Sequence, residues 1–157
     1  MITDPIIKAR VHEHHLFASL GHSELEQLLG NALRIQINPN ESLFHQGDVA
    51  KRFYLVIRGH LQLYRTSLQG QDKVMDVVRE GQTFAEALMF AQHASYPVSA
   101  QAVSKCVLVS FDRDTYLNLL KRNPDAGIAI MANMSVRLRR HLNEVELLSV
   151  QNAQSRL

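Results

Sequence analysis

The chain has 157 residues, 46% hydrophobic and 20% charged, which suits one globular domain and excludes a disordered chain. A net charge of +2, from 17 basic and 15 acidic side chains, is too small for an electrostatic footprint on nucleic acid, despite a sequence pI near 8.9. Apolar runs of about six residues cannot span a membrane, which takes roughly 20. No cationic stretch followed by an apolar run opens the chain, so no secretory signal is visible. The lone cysteine, Cys106, excludes an internal disulfide and any multi-cysteine zinc or iron–sulfur site in the chain. These features together predict a cytoplasmic protein.

Residues 1 to 33 read as helical, with Ser23 and Glu26 spaced as a capping box and Gly30-Asn31 as a stop. From Ile35 to Phe111 the pattern changes to short strands. Ile35 alternates with Ile37, Phe53 with Leu55 and Ile57, Leu61 with Leu63, and Val107 with Val109. Glycines at 47, 59, 70 and 81 recur every 11 or 12 residues, the punctuation of a compact antiparallel roll.

Helical signals return at Asp112, which can cap a helix reaching Lys121. Asn123 with Pro124 is a strong start for a second helix, with no stop until about Gln151. Roughly 27 residues at about 1.5 Å each give a rod near 40 Å long, too long to cap a small roll. Met131, Met134, Leu138, His141, Val145 and Leu148 fall at spacings of three and four, the a/d seam of a two-stranded coiled coil. Ile128, Ile130 and Leu142 widen the apolar face, so one side can also lie on the roll. An amphipathic core helix is the plainer alternative. His141 would either set the register of the seam or touch a ligand.

Several local stretches resemble the sensor domain of CRP/FNR-family transcription regulators. They are Leu43-Phe44-His45-Gln46-Gly47-Asp48, Phe53 through Gly59, Gly81-Gln82-Thr83-Phe84-Ala85-Glu86-Ala87-Leu88-Met89-Phe90, and Asn123-Pro124-Asp125. The resemblance implies an α+β, mainly β fold: a cyclic-nucleotide-binding-like antiparallel β-roll (jelly roll) with a short N-terminal helix and a long C-terminal dimerisation helix. It divides the chain into an effector-sensing domain at 1–122, a dimerisation helix at 123–152, and at 153–157 the start of a helix-turn-helix domain that is missing here. It also implies a homodimer, with promoter DNA and RNA polymerase reached through that absent domain of the parent protein.

In nucleotide-binding members the cassette carries Gly-Glu, followed ten residues later by Arg-Ser. The glycine's surroundings and the arginine hold the cyclic phosphate, and the glutamate accepts from the ribose. Here those positions read Ala85, Glu86 and Tyr96-Pro97. A phenol cannot neutralise a buried phosphate, and Pro97 has no N–H to donate. Cyclic AMP is therefore not expected. Removal of the arginine leaves a greasier pocket built on Phe84, Ala85, Glu86, Tyr96 and Leu142, with Leu88 and Phe90 either lining it or serving as plain core.

The sequence is most similar to the DNR group, nitric-oxide-responsive regulators thought to use haem. The matching stretches are His14-His15-Leu16-Phe17, Thr83 through Phe90, Tyr96 with Ala100 through Val103, and Glu144 through Ser149. The resemblance implies a haem cofactor with His14, His15 or His141 as axial ligand and nitric oxide as effector. Another small effector is the alternative. No phosphate loop, nucleophile elbow or metal-binding His-x-His strand pair is present, so an enzyme is not expected.

Overall fold

The computed structural model describes residues 2–155 of the chain, with side chains described as far as Leu147. Two helices open it, α1 (Pro5–Glu13) and α2 (His22–Gly30). Eight strands follow: β1 (Leu33–Ile37), β2 (Ser42–Phe44), β3 (Arg52–Arg58), β4 (Leu61–Thr66), β5 (Asp72–Val78), β6 (Thr83–Phe84), β7 (Ser99–Ala102) and β8 (Cys106–Asp112). A 3₁₀ turn, Glu86–Phe90, lies between β6 and β7. Helices α3 (Arg113–Arg122) and α4 (Pro124–Ser155) close the chain.

The strands form two antiparallel sheets ordered β1-β8-β3-β6 and β2-β7-β4-β5. This is the expected roll. Gly47, Gly59, Gly70 and Gly81 all take positive φ, between 81° and 94°, a region that costs an L side chain about 1–2 kcal/mol. Asp112 accepts from the backbone N–H of Thr115 at 3.0 Å, and Asn123 accepts from that of Ala126 at 3.2 Å. Both helix starts are therefore capped as expected.

Other expectations need correction. The N-terminal segment holds two helices separated by a turn. The cap of α2 is Gly21, whose N–H donates to Glu24 Oε1 at 3.0 Å. Glu26 instead pairs with Lys8 of α1 at 3.3 Å, so the Ser23–Glu26 box is not formed. Residues Phe53 to Ile57 of β3 are all buried instead of alternating, because the sheet holding β3 is covered on both faces. On its outer face Phe17, Phe53, Phe111 and Tyr116 form one aromatic cluster with ring centroids 4.7–6.1 Å apart. Tyr116 also donates its hydroxyl to the Leu16 carbonyl at 3.0 Å.

Helix α4 runs for 32 residues, about 48 Å at 1.5 Å per residue, and the boundary expected at 152 falls inside it. Ala126 and Ile130 are buried against the domain and Met134 is partly buried there, whereas every side chain from Ser135 to Leu147 is exposed. Met131, Leu138, His141, Leu142 and Val145 thus stand in solvent in the single chain, and the side chain of Leu148 lies outside the described residues. Among the described residues no helix is long and apolar enough to cross a membrane.

The tightest glycine is Gly59, with φ +83°; a Cβ there would meet the Lys105 carbonyl oxygen and lie 2.9 Å from both Cys106 Sγ and Ser104 Oγ. Gly59→Ala is expected to cost about 3 kcal/mol or more, since φ strain and a backbone clash add. Chemical denaturation checks this, with Gly70→Ala, whose Cβ meets nothing within 4 Å, as the milder control.

Candidate effector site

One large cavity, about 1030 Å³, opens between the roll and the helices. Its roll wall comes from Leu55, Val56 and Ile57 of β3, Leu63 of β4, Asp76 to Val78 of β5, and the stretch from Gly81 to Ala87. Arg10, Glu13, His14 and His15 form the N-terminal wall, and Met134 and Arg137 of α4 complete it.

The histidines are placed by the residues around them. Helix α1 is capped at its start by Asp4, which accepts from Ile6 N at 2.9 Å, and ends at Glu13. The next turn is closed by Phe17 N donating to the His14 carbonyl at 2.9 Å. Leu16 and Phe17 plunge into the core, leaving His14 and His15 half-buried at the cavity wall with their rings 4.2 Å apart. His14 Nδ1 accepts from the backbone N–H of Leu16 at 3.2 Å. His15 Nδ1 accepts from Arg137 Nη2 at 3.0 Å, because a guanidinium can only donate. Burial, then the neighbouring His15 and Arg137, lower the pKa of His14 to about 4. Burial and Arg137 lower that of His15 in the same direction. Both rings are therefore uncharged near neutral pH.

The cassette keeps its shape without its glycine. Ala85 sits at φ 67°, ψ 4°, in the left-handed region, directly ahead of the 3₁₀ turn. Ala85, Phe84, Ala87 and Glu86 all line the cavity. The Glu86 side chain is half-buried and makes no hydrogen bond or ion pair among the described residues. Behind the turn, Arg113 at the start of α3 donates Nε to the Met89 carbonyl at 3.0 Å and Nη2 to the Ala91 carbonyl at 3.1 Å.

Several expected site residues lie elsewhere. Tyr96 does not line the cavity: it stacks on Phe44 with centroids 3.7 Å apart and donates its hydroxyl to the Arg52 carbonyl at 2.7 Å. Burial pushes its phenol pKa up. Leu142 and His141 do not reach the cavity, because α4 has left the domain one to two turns earlier. Leu88 packs partly buried against the core and Phe90 is 47% exposed, and neither lines the cavity. Arg10 and Arg137 are liners that sequence reasoning missed. The available signal was spacing: Arg137 stands three residues after Met134 and so shares its helix face. Among the described residues no group of three or more His, Cys, Asp or Glu could hold a metal ion.

Comparison with known proteins finds relatives of this fold. The cyclic nucleotide-binding domain family matches residues 34–123. The chain belongs to that family. Regulators of the CRP/FNR type are among its relatives. The crystal structure of the sensor domain of the transcriptional regulator DNR from Pseudomonas aeruginosa superposes with a TM-score of 0.79 at 34% identity, covering 88% of this chain and 93% of that one. The longer DNR structure gives 0.83 at 35% identity over 98% of this chain and 67% of that one. The cyclic AMP receptor protein of Thermus thermophilus is 31% identical over 142 residues, which are 90% of this chain and 65% of the relative. The chain thus spans about two thirds of the length of these regulators.

The depressed His14 pKa has a consequence for stability. An unfolded His14 takes up its proton near pH 6.5, whereas the folded one does so only at about 4. Stability from this residue is therefore complete above 6.5 and is lost as the pH falls toward 4, by on the order of 2 kcal/mol for a partly buried ring. Denaturation at pH 7 and pH 4 should show His14→Gln losing less of its stability on acidification than the wild type.

Proposed function

We propose that this domain is the sensor of a DNR-like transcription regulator, responding to nitric oxide through haem held in the cavity between roll and helices. The observation that carries the reading is the uncharged His14 imidazole on the wall of that cavity. An uncharged imidazole is the state that binds iron. The donor set fits: Leu55, Ile57, Phe84 and Met134 supply apolar walls, and His15 stands beside His14. Haem, when bound, supplies an iron centre that a diatomic gas can reach.

What this chain's own residues do can be derived. His14 accepts from Leu16 N through Nδ1, so its proton sits on Nε2. To offer Nε2 as a ligand it must move that proton to Nδ1 and release the Leu16 N–H. Met134 and Arg137 close the cavity from α4, so a group seated there touches the helix leading toward the expected DNA-binding domain. Neither His141 nor Tyr96 has a place in this arrangement as a ligand.

Cyclic AMP is not the effector in this reading. The charged side chains on the roll wall are the carboxylates of Asp76 and Glu86, which repel a phosphate, and Tyr96 occupies the core instead of contributing a cation. The domain acts by binding and not by catalysis. A second reading, a different small effector, is favoured by one observation: both cavity imidazoles already use Nδ1 as an acceptor.

Titration of the purified protein with ferrous haem tests the first reading. A sharp, stoichiometric Soret band that shifts on adding nitric oxide and is lost or broadened in His14→Ala is expected. A weak band indifferent to that substitution turns the search to other effectors.

The domain is also proposed to work as a homodimer through α4. Leu138, 58% exposed in the single chain, sits mid-seam. Leu138→Glu should give monomers by sedimentation at micromolar concentration, because it places a charge in an apolar seam.

A further inference from the structure

The charges around the cavity are not spread evenly. On the roll wall stand two carboxylates, Asp76 and Glu86. The cation that the cassette's own loop could have supplied is absent, since Tyr96 is packed on Phe44 and the neighbouring Arg65 gives its Nε to the Pro97 carbonyl at 3.1 Å. Both cavity-lining arginines come from helices instead. Arg10 lies on α1, three residues before Glu13, which also lines the cavity and stands on the same helix face, so an acidic neighbour accompanies it. Arg137 lies on α4, one turn beyond Met134. Its partner is the neutral ring of His15, and it forms no ion pair among the described residues. A guanidinium held by a neutral acceptor keeps its full charge, and its planar fork matches a carboxylate better than an imidazole.

We infer that the cavity takes an effector with an apolar body and a carboxylate, and that Arg137 of α4 is the residue that binds the carboxylate. The family's cyclic-nucleotide site neutralises its ligand from the roll; here the neutralising group belongs to the long helix. The carboxylate displaces His15 from Arg137 and lies away from Asp76 and Glu86. The ligand's orientation is thereby set, anionic end toward the helices and apolar body along β3 and Phe84. This inference rests on the cavity being the effector site, and it names the chemical class that the site selects.

Ferric haem, with two carboxylates, and its dimethyl ester, with none, are suitable probes because ring and iron are common to both. Affinities are read from absorption titrations of the full chain, with thermal melting to confirm folding. The wild type should bind the acid about tenfold more tightly than the ester, Arg137→Gln should abolish the preference, and Arg137→Lys should regain most of it, the size expected for one charge-assisted contact. His14→Ala should weaken both probes and keep the preference, since it removes an imidazole and not the cation. Equal affinity of wild type and Arg137→Gln for the acid, or an equal loss for acid and ester, overturns the assignment while leaving the cavity as the effector site. If neither probe binds the wild type saturably, the haem reading and this inference fall together.

Discussion

Four aromatic rings carry the join between the helices and the roll. Phe17 comes from the turn after α1, Phe53 from β3, Phe111 from β8 and Tyr116 from α3, and none is exposed to solvent. Phe53 and Phe111 are direct partners across the two strands, so the sheet presents them side by side, and Phe17 and Tyr116 close over them. Burial of this much aromatic surface is among the largest stabilising contributions a small domain can collect. It also fixes function. With Phe17 seated, His14 and His15 are held at the rim three and two residues earlier. With Tyr116 seated, α3 is fixed in direction, and α4 follows from it through Asn123.

The cavity keeps an inherited outline with altered chemistry. The backbone still turns through a left-handed residue ahead of Glu86, although an alanine now bears the strain. Tyr96, at the position where the resemblance puts a phosphate-binding arginine, is buried and stacks on Phe44. What remains is a pocket whose roll side is apolar and acidic and whose helical side holds the histidines and the arginines. In the proposed reading, such a site disfavours a phosphate held by the roll and suits a ligand that engages the helices.

Much of the fold could be read in the sequence because it rests on local chemistry. Positive-φ turns need glycine, and the four spaced glycines mark them; Asp112 and Asn123 mark helix starts through side-chain oxygens that cap within three residues. The errors arose where tertiary contacts decide. Glycine as an N-cap carries no side-chain signal, so Gly21 was invisible beside the equally spaced Ser23 and Glu26, and Glu26 was drawn away by Lys8 in another helix. Strand β3 lost its alternation because helices cover the face a lone strand would leave wet. At the site, His14, His15 and the stretch from Phe84 to Glu86 were legible by their resemblance, and all five line the cavity. His141 and Leu142 were not correctly placed, since only geometry reveals that α4 parts from the domain after Met134.

The first turn of α3 ties both sides of the cavity to a single rigid body. Arg113 grips the carbonyls of Met89 and Ala91 behind the cassette, and Tyr116, three residues on, grips the carbonyl of Leu16 behind the histidines. The two walls therefore cannot spread apart independently: either a grip is broken, or α3 travels with the wall that moves. The helix that leads into α4 is thus fastened to both walls at once, and neither wall can be displaced without loading it.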